Sequence, residues 1–319
     1  IYMEYKMPEG TRIEKVEKDL EEIERYLKTN PAITHVTTSL GGTPARYNLV
    51  RSVADPSLRY GELIIDFKSH KDIDNCMQDL QEYMNRHYPD AFIRLKKYNT
   101  MYMEFPIEIL VSGPDPGVLK ELRNKIQDIM REEPSAMLIT DNWDDPVINM
   151  DINFNQHNAR RAGLGKTDIG LSLLSVTEGI PVGSLYDGSI LKNIYLKNIG
   201  YNSLEDVNSM LPNITAVTEE ESIQRMLMDP ERKQLLIDRL TSGRPVKEIS
   251  DSISFEWKDP VAYRYNGQRA VIVQCNNAYG FTAEDTRLAL EKKINERIEF
   301  PDGYSMKWLG EYKASTDSN

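Results

Sequence analysis

Apolar side chains in the first hundred residues alternate between the spacing of a strand and the spacing of a helix. Residues 1–5 and 33–40 are rich in aromatic and β-branched side chains, which favours strands. Between them, apolar residues recur at intervals of three and four, as on one face of an amphipathic helix. That face consists of Ile13, Val16, Leu20, Ile23 and Leu27. The pattern returns over 61–95, so residues 1–100 are predicted to be β-α-β-β-α-β, the split βαβ arrangement of ferredoxin-like domains.

Two local motifs predict how individual elements begin and pair. Thr11 is followed three residues later by Glu14, and this spacing predicts a capping box at the start of the first helix. Further along, the turn residues 141–146 separate two short apolar runs, 137–139 and 147–150. Because two strand-like runs flank one turn, we predict that they form a hairpin.

A second copy of the α/β pattern follows the first and is interrupted. Residues 101–183 and 263–312 together repeat the alternation of strands and helices. Between them, residues 184–262 contain short strands, turn residues and a charged helical stretch, and 313–319 form a polar tail. The predicted fold class is therefore α+β. Two ferredoxin-like subdomains lie in tandem, 1–100 and then the split second copy, which carries a mixed insertion.

Composition excludes several classes of protein. Charged residues make up 28% and apolar residues 40% of the chain, which is typical of a globular protein. Lys and Arg number 39 against 50 Asp and Glu, and the net charge of −11 argues against a nucleic-acid partner. No apolar run approaches the roughly 18 residues of a membrane span. Two cysteines, Cys76 and Cys275, are too few for a disulfide framework or a cysteine-based zinc site.

The sequence contains no complete catalytic or metal-binding motif. Gly165-Lys166-Thr167 resembles the end of a phosphate-binding loop, but Arg160 stands where that motif requires glycine. The four histidines do not share the i, i+4 spacing of a helical metal site. No serine or cysteine lies in a nucleophile motif. We therefore expect no catalytic residues, no metal and no cofactor, and predict that the chain is not an enzyme.

Two segments have compositions that suit ligand binding. Residues 41–60 form a long connection between two successive strands, and long loops in compact domains are often functional. Arg46 and Tyr47 within it offer a cation and an amphipathic ring, although an ordinary surface loop is an equally good interpretation. The second segment, 98–105, combines aromatic residues with methionines, which suits adaptable apolar binding. Interdomain core is the favoured alternative there.

Five short motifs follow one another in a fixed order along the chain. They are Met7-Pro8-Glu9-Gly10-Thr11; Gly41-Gly42 through Asn48; Asp151-Ile152-Asn153 with Ala162-Gly163-Leu164 and Asp168-Ile169; Gly179-Ile180-Pro181-Val182-Gly183; and Tyr265-Asn266-Gly267-Gln268. Their order and spacing resemble the second large periplasmic loop of resistance-nodulation-division (RND) efflux transporters. The hydrophobe/amphiphile exporter branch is the most similar, and the resemblance extends over essentially all 319 residues.

The resemblance implies a role for each part of the chain. Residues 1–100 would be the porter subdomain PC1, the split second copy PC2, and the insertion a docking subdomain. In that family substrates enter a cleft between the two porter subdomains, and a switch loop borders the binding pockets. By position, the switch-loop residues would be Gly41, Gly42, Arg46, Tyr47 and Asn48. The pocket wall would include Tyr98, Met101 and Met103.

The resemblance also implies partners and a location. It implies proton-driven export of amphiphilic compounds by a homotrimer, with a periplasmic adaptor protein and an outer-membrane channel. The chain would be the periplasmic portion of a bacterial inner-membrane protein whose membrane helices lie outside this sequence, and alone we expect it to be monomeric. Copper or silver export ranks low because residues 41–60 contain no Met, His or Cys. The alternative is a free-standing soluble periplasmic module that binds small ligands with the same tandem domains.

Overall fold

A computed structural model gives the architecture of the chain. It describes residues 1–44, 53–98, 104–161, 164–197 and 246–316. The chain forms two compact units, which we describe separately. The first comprises Ile1–Val147 and Lys258–Asn319, and the second comprises Ile148–Trp257. The predicted insertion begins at residue 184, whereas the second unit begins 36 residues earlier along the chain.

Strands and helices alternate through most of the described residues, and the predicted α+β class is confirmed. The elements are β1 (Tyr2–Lys6), α1 (Ile13–Leu27), β2 (Ile33–Leu40), β3 (Tyr60–Phe67), α2 (His70–His87), β4 (Phe92–Lys96), β5 (Ile107–Ser112), α3 (Pro116–Arg131), β6 (Ala136–Asp141), β7 (Val147–Phe154), α4 (Gln156–Arg161), α5 (Lys166–Thr177), β8 (Ile180–Asp187), β9 (Ile190–Leu196), α6 (Val246–Ile249), β10 (Ser250–Lys258), β11 (Arg264–Tyr265), β12 (Gln268–Asn277), α7 (Ala283–Arg297), β13 (Ser305–Trp308) and α8 (Gly310–Thr316).

Subdomain 1 consists of β1 to β4 with α1 and α2. Its strands lie in the order β2-β3-β1-β4, and every neighbouring pair is antiparallel. Strand β3 therefore lies between β1 and β2, which run parallel to each other, as a split βαβ arrangement requires. Of the predicted apolar face of α1, Ile13 is half-buried, and the buried residues are Val16, Leu20, Ile23 and Leu27. These side chains pack on the alternate β1 residues Met3 and Tyr5.

Subdomain 2 consists of β5, β6, β11, β12 and β13 with α3, α7 and α8. The central strand β12 pairs with both β5 and β6, and β13 pairs with the other edge of β5. The order β6-β12-β5-β13 repeats that of subdomain 1, with the whole second unit inserted between β6 and β11. The name ferredoxin-like for the two subdomains stays a prediction.

The predicted hairpin of 137–139 with 147–150 is wrong. Strand β6 pairs with β12, and β7 pairs with β10 of the second unit. The turn between β6 and β7 is held against β12 instead of closing on itself. Trp143 is 3% exposed and its Nε1 donates to the backbone oxygen of Ala270 at 2.7 Å. The backbone N–H of Asn142 donates to the oxygen of Ile272 at 3.1 Å.

The predicted capping box at Thr11 is also wrong. Helix α1 begins after Arg12, which makes no side-chain cap, and the Thr11 hydroxyl donates to the Pro8 carbonyl at 2.8 Å. A capping box is present at α7, where Thr282 and Asp285 each bond the other's backbone N–H. The Thr11 hydroxyl therefore bonds within the turn of residues 8–11 and does not cap α1.

The second unit holds a small core and two two-stranded sheets. Strands β7 and β10 form one sheet, and β8 and β9 form the other. The core consists of Ala159, Leu164, Ile169 and Ile249. None of the helices in the described ranges combines the length and apolarity that a membrane span requires.

Candidate functional site

A cavity of about 360 Å³ lies between subdomain 1 and subdomain 2 of the first unit. Subdomain 1 contributes residues of α2 and of the end of β4, and subdomain 2 contributes β6 and the turn from β12 to α7. We call it the intersubdomain cavity. Its lining residues are Asp74, Met77, Leu95, Lys97, Met137, Asn276, Asn277, Ala278, Tyr279 and Gly280. Ligand pockets in proteins combine such apolar side chains with a few polar groups.

The wall contributed by subdomain 2 contains a break in strand pairing. The register of β12 against β6 shifts between Gln274 and Asn276, and Asn276 lies opposite Met137. The next β6 residue, Leu138, has φ of 53°, a left-handed conformation that is unfavourable for leucine. Bulges of this kind re-aim side chains next to binding sites. Here the irregularity coincides with two lining residues of the cavity.

Tyr279 crosses the gap between the subdomains. Its hydroxyl donates to the backbone oxygen of Met77 on α2 at 3.3 Å. Burial, and to a lesser extent the charge of Glu82, raises the pKa of Tyr279 to about 12. The hydroxyl is therefore protonated at physiological pH and can act as a donor.

An ion pair lies at the subdomain 1 side of the cavity. Lys97 donates to Asp74, and His70 lies 3.4 Å from the same carboxylate. The hydrogen bond from Lys97 is the main cause that lowers the pKa of Asp74. The carboxylate is consequently charged at neutral pH, and its charge is balanced by the lysine.

Asn276 contributes a different kind of group. Its Oδ1 is shielded from solvent and has no hydrogen-bond partner among the described residues. Leaving a buried acceptor without a partner costs about 1–3 kcal/mol. The intersubdomain cavity therefore combines apolar methionine and leucine side chains with one acceptor whose hydrogen-bonding capacity is unused.

A second link between the subdomains is ionic. Asp144, which follows β6 with φ of 60°, accepts from Lys6 at 2.5 Å and from Arg59 at 2.9 Å. Arg59 also pairs with Glu9 at 2.5 Å. Burial would raise the pKa of Asp144, but the hydrogen bonds from Arg59 and Lys6 outweigh it and lower that pKa. The carboxylate is thus held charged between two cations of subdomain 1.

The structure places three of the residues predicted to form the site. Gly41 follows β2 with φ of +76°, a conformation that glycine adopts without strain, and its N–H donates to Tyr60 at 2.8 Å. The Gly42 carbonyl accepts from Ser39 at 2.8 Å. The Tyr98 ring lies 5.1 Å from the ring of Tyr2. These three residues do not line the intersubdomain cavity.

The other five predicted site residues lie outside the described residues. They are Arg46, Tyr47, Asn48, Met101 and Met103. Their predicted roles in the switch loop and the pocket wall stay predictions.

Sequence reasoning missed the residues that line the cavity. Met137 faces it because of a bulge in β6, and bulges leave no reliable trace in one sequence. Alternation along β12 puts Asn276 on the face opposite Cys275, but it does not show that a cavity lies there. Tyr279-Gly280 offers a weak signal, because an aromatic beside a glycine lies in the turn before a capped helix. Gly280 has φ of +90° in that turn.

The second unit contains a wider groove of about 600 Å³ between α5 and the β7–β10 sheet. Its lining combines the apolar residues Met150, Ile152, Phe154, Ile169 and Leu173 with the polar or charged residues Asp151, Asn153, Lys166, Ser252 and Ser254. Among the described residues, His, Cys, Asp and Glu form no cluster of three or more that could hold a metal ion.

Comparison with known proteins identifies the family. A sequence model of the AcrB/AcrD/AcrF family matches residues 1–319. The chain belongs to the AcrB/AcrD/AcrF family. A search of curated protein sequences gives no significant match.

Two solved structures share the fold of this chain. One is the crystal structure of a heavy metal efflux pump in crystal form II, with a TM-score of 0.67 at 13% identity. The other is crystal form I of a heavy metal efflux pump, with a TM-score of 0.68 at 14% identity. Each match covers 99% of this chain and 31% of the pump chain. The chain thus spans about a third of the length of these pumps.

These matches confirm the predicted resemblance to RND transporters. They do so through the family match over the whole chain and through the shared fold. The more specific prediction of the hydrophobe/amphiphile branch goes beyond the family match, and it belongs to the proposal below.

Proposed function

We propose that the chain forms the periplasmic substrate-binding part of a proton-driven RND efflux transporter that exports amphiphilic compounds. The observation that carries this proposal is the intersubdomain cavity, where Met77, Leu95 and Met137 provide an apolar wall. Methionine side chains adapt to ligands of different shape. A chain that matches the AcrB/AcrD/AcrF family throughout supports an export role for this cavity.

The mechanism is binding without bond chemistry, and the chain is accordingly not an enzyme. Burial of the apolar part of a compound against the methionine and leucine side chains supplies about 25 cal/mol per Å². Release requires the subdomains to move apart. The contacts that resist this movement include the Tyr279 hydrogen bond to Met77 and the ion pairs of Asp144. Because each of these contacts involves only a few atoms, the two subdomains can separate and close again.

In the complete transporter, this chain would act within a larger assembly. We propose a homotrimer in the inner membrane, with a periplasmic adaptor protein and an outer-membrane channel as partners. The switch-loop and pocket-wall residues named above would border the same substrate path.

Binding of a fluorescent lipophilic amine, N-phenyl-1-naphthylamine, to the 319-residue chain tests the proposal. Its fluorescence rises in apolar surroundings, so a titration gives an affinity. Filling the cavity by Met137→Trp, or by Ala278→Leu, should weaken binding at least tenfold. Leu185→Trp is the matched control, because Leu185 is exposed on β8 outside the cavity. Equal affinities of all four proteins would contradict the proposal.

The sequence of the gene on both sides of this chain distinguishes a transporter from the alternative, a free-standing periplasmic binding module. The gene on both sides of this chain should encode apolar runs of about 20 residues if the chain belongs to a transporter. A secretory signal before residue 1 and a stop codon after residue 319 would instead support the free-standing module.

A second candidate function is export of a soft metal ion. Met77 and Met137 line one cavity, and thioethers are ligands for Cu(I) and similar ions. The similar solved structures are heavy metal efflux pumps. Calorimetric titration with Ag⁺ decides between the two. The titration uses Cys76→Ser, because the partly exposed thiol of Cys76 would itself bind Ag⁺. In that background the volume-conserving variants Met77→Leu and Met137→Leu should abolish Ag⁺ binding if the metal is the substrate, and leave naphthylamine binding intact if it is not.

A further inference from the structure

We propose that Asn276 selects, among the amphiphilic compounds that the intersubdomain cavity accepts, those that present an N–H or O–H group to its side-chain oxygen. This inference rests on the proposed function, because it takes the cavity as the ligand site. It adds a chemical class: lipophilic amines, amides and alcohols that carry a free hydrogen-bond donor at one end.

The side chains of two neighbouring residues show why Asn276 is exceptional. Gln274 donates to Glu108 at 3.1 Å, and Asn277 donates to the backbone oxygen of Phe281 at 2.6 Å. Asn276 lies between them, and its shielded Oδ1 has no hydrogen-bond partner in the described part of the chain. Buried polar atoms in native proteins are nearly always paired, so an exception in a cavity wall indicates a partner supplied from outside.

The strand that faces Asn276 is strained. Between Thr140 and Met137, β6 contains one residue more than β12 has opposite it, and Leu138 in this bulge adopts φ of 53°. Strained residues of this kind persist where the surrounding structure holds them in place, and they cluster at ligand sites. Along β12 the alternation is uninterrupted, so Asn276 lies on the same face as Gln274 and on the opposite face from the core residue Cys275. The extra residue in β6 brings Met137 to that same face of the sheet as Asn276.

The hydrogen-bond donors beside Asn276 are already paired with other groups, so a donor to its Oδ1 has to come from the ligand. The Tyr279 proton is directed to the Met77 carbonyl, and the Lys97 ammonium is paired with Asp74. Because Oδ1 of Asn276 is shielded from solvent, its amide must turn toward the cavity for a ligand to donate to it. A compound bound in this way would place its apolar part against Met77, Leu95 and Met137, which line the same cavity. One such hydrogen bond corresponds to about a three- to tenfold gain in affinity.

A matched pair of probes tests the inference directly. N-phenyl-1-naphthylamine carries one N–H, and its N-methyl derivative lacks it while keeping the apolar rings. The unaltered chain should bind the N–H probe about three- to tenfold more tightly than the N-methyl probe. In Asn276→Leu this ratio should fall to about one through loss of affinity for the N–H probe alone. Asn276→Ala serves if the leucine variant does not fold, and Asn124→Leu, on the exposed face of α3, should keep the full ratio.

The outcomes separate the two proposals. Equal binding of both probes by the unaltered chain overturns the role of Asn276 and leaves the cavity as a binding site. A preference for the N–H probe that persists in both Asn276 variants also overturns it, because another group is then the acceptor. Saturable binding of neither probe contradicts the proposed function itself.

Discussion

The guanidinium of Arg94 is 1% exposed in the first sheet, where a charge is costly unless it is fully paired. It donates to Glu4 at 2.7 Å and to Glu104 at 3.0 Å, and it lies 3.9 Å from the centre of the Phe105 ring. Glu4 and Arg94 face each other across β1 and β4. These contacts connect the sheet of subdomain 1 to the segment that leads into subdomain 2.

Removing this guanidinium should be strongly destabilising. Arg94→Ala leaves the half-buried carboxylate of Glu4 without its partner, and the expected loss in the free energy of unfolding is about 3–5 kcal/mol. Urea denaturation followed by tryptophan fluorescence measures it. Arg131→Ala is the control, because Arg131 forms an exposed pair with Asp128 and should cost at most about 1 kcal/mol. Similar losses in the two variants would refute the role given to Arg94.

Residue-scale features were the least predictable from sequence. Alternation along β4 indicates that Arg94 lies on the face opposite Ile93 and Leu95, and an arginine there is expected in solvent. Its burial depends on what covers that face, which the local sequence does not encode. Asn276 is similar, because its place in a cavity depends on the residues of α2 and β4 that cover that face of β12.

At the scale of single elements, the helices followed the sequence closely. Four of the five predicted apolar residues of α1 are buried, whereas Ile13 is half-buried and the polar Asp19 is buried beside them. Asp115 caps α3 by accepting from the Val118 N–H at 3.0 Å. Local spacing and propensity are enough for such features. The β6–β7 hairpin failed because strand pairing is decided by distant segments, here by β12 and β10.

The different starts of α7 and α1 predict different effects of removing a threonine hydroxyl. Thr282→Ala removes the side-chain acceptor for the Asp285 N–H and should lower the free energy of unfolding by about 1 kcal/mol. Thr11→Ala should change it by less than about 0.5 kcal/mol, since Thr11 caps no helix. Thermal denaturation compares the two variants. A larger loss in Thr11→Ala than in Thr282→Ala would contradict the assignment.

The ionic link at Asp144 predicts a dependence of stability on pH. Its pKa is lowered in the folded chain, so its stabilising effect is complete above the unfolded value of about 3.9 and is lost as pH falls through the folded value. At pH 7, Asp144→Asn should cost about 1.5–3 kcal/mol. That difference from the unaltered chain should shrink below pH 4.

Denaturation of both proteins from pH 7 to pH 3 measures this effect. Asp145→Asn is the control, because Asp145 is exposed next to Asp144. A cost of Asp144→Asn that stays constant over the whole pH range would show that the carboxylate is not held by Lys6 and Arg59.

At the scale of the whole molecule, two α/β subdomains with the same strand order share one compact unit, and a second unit is inserted into the later one. The sequence predicted the tandem and the presence of an insertion, because periodicity is local. It placed the start of the insertion at 184, since strand β7 and helix α5 have the periodicity of a continuing α/β pattern. Only the pairing of β7 with β10 assigns them to the second unit.

The central claim is that amphiphilic compounds bind between the two subdomains. A crystal structure of the chain with a brominated N-phenyl-1-naphthylamine tests it most directly, because anomalous scattering locates the bromine. We expect the bromine peak in the intersubdomain cavity, with the amine at Asn276 and the rings against Met77 and Met137. A fully occupied bromine site elsewhere, such as the groove beside α5, with none in the cavity, would contradict the account.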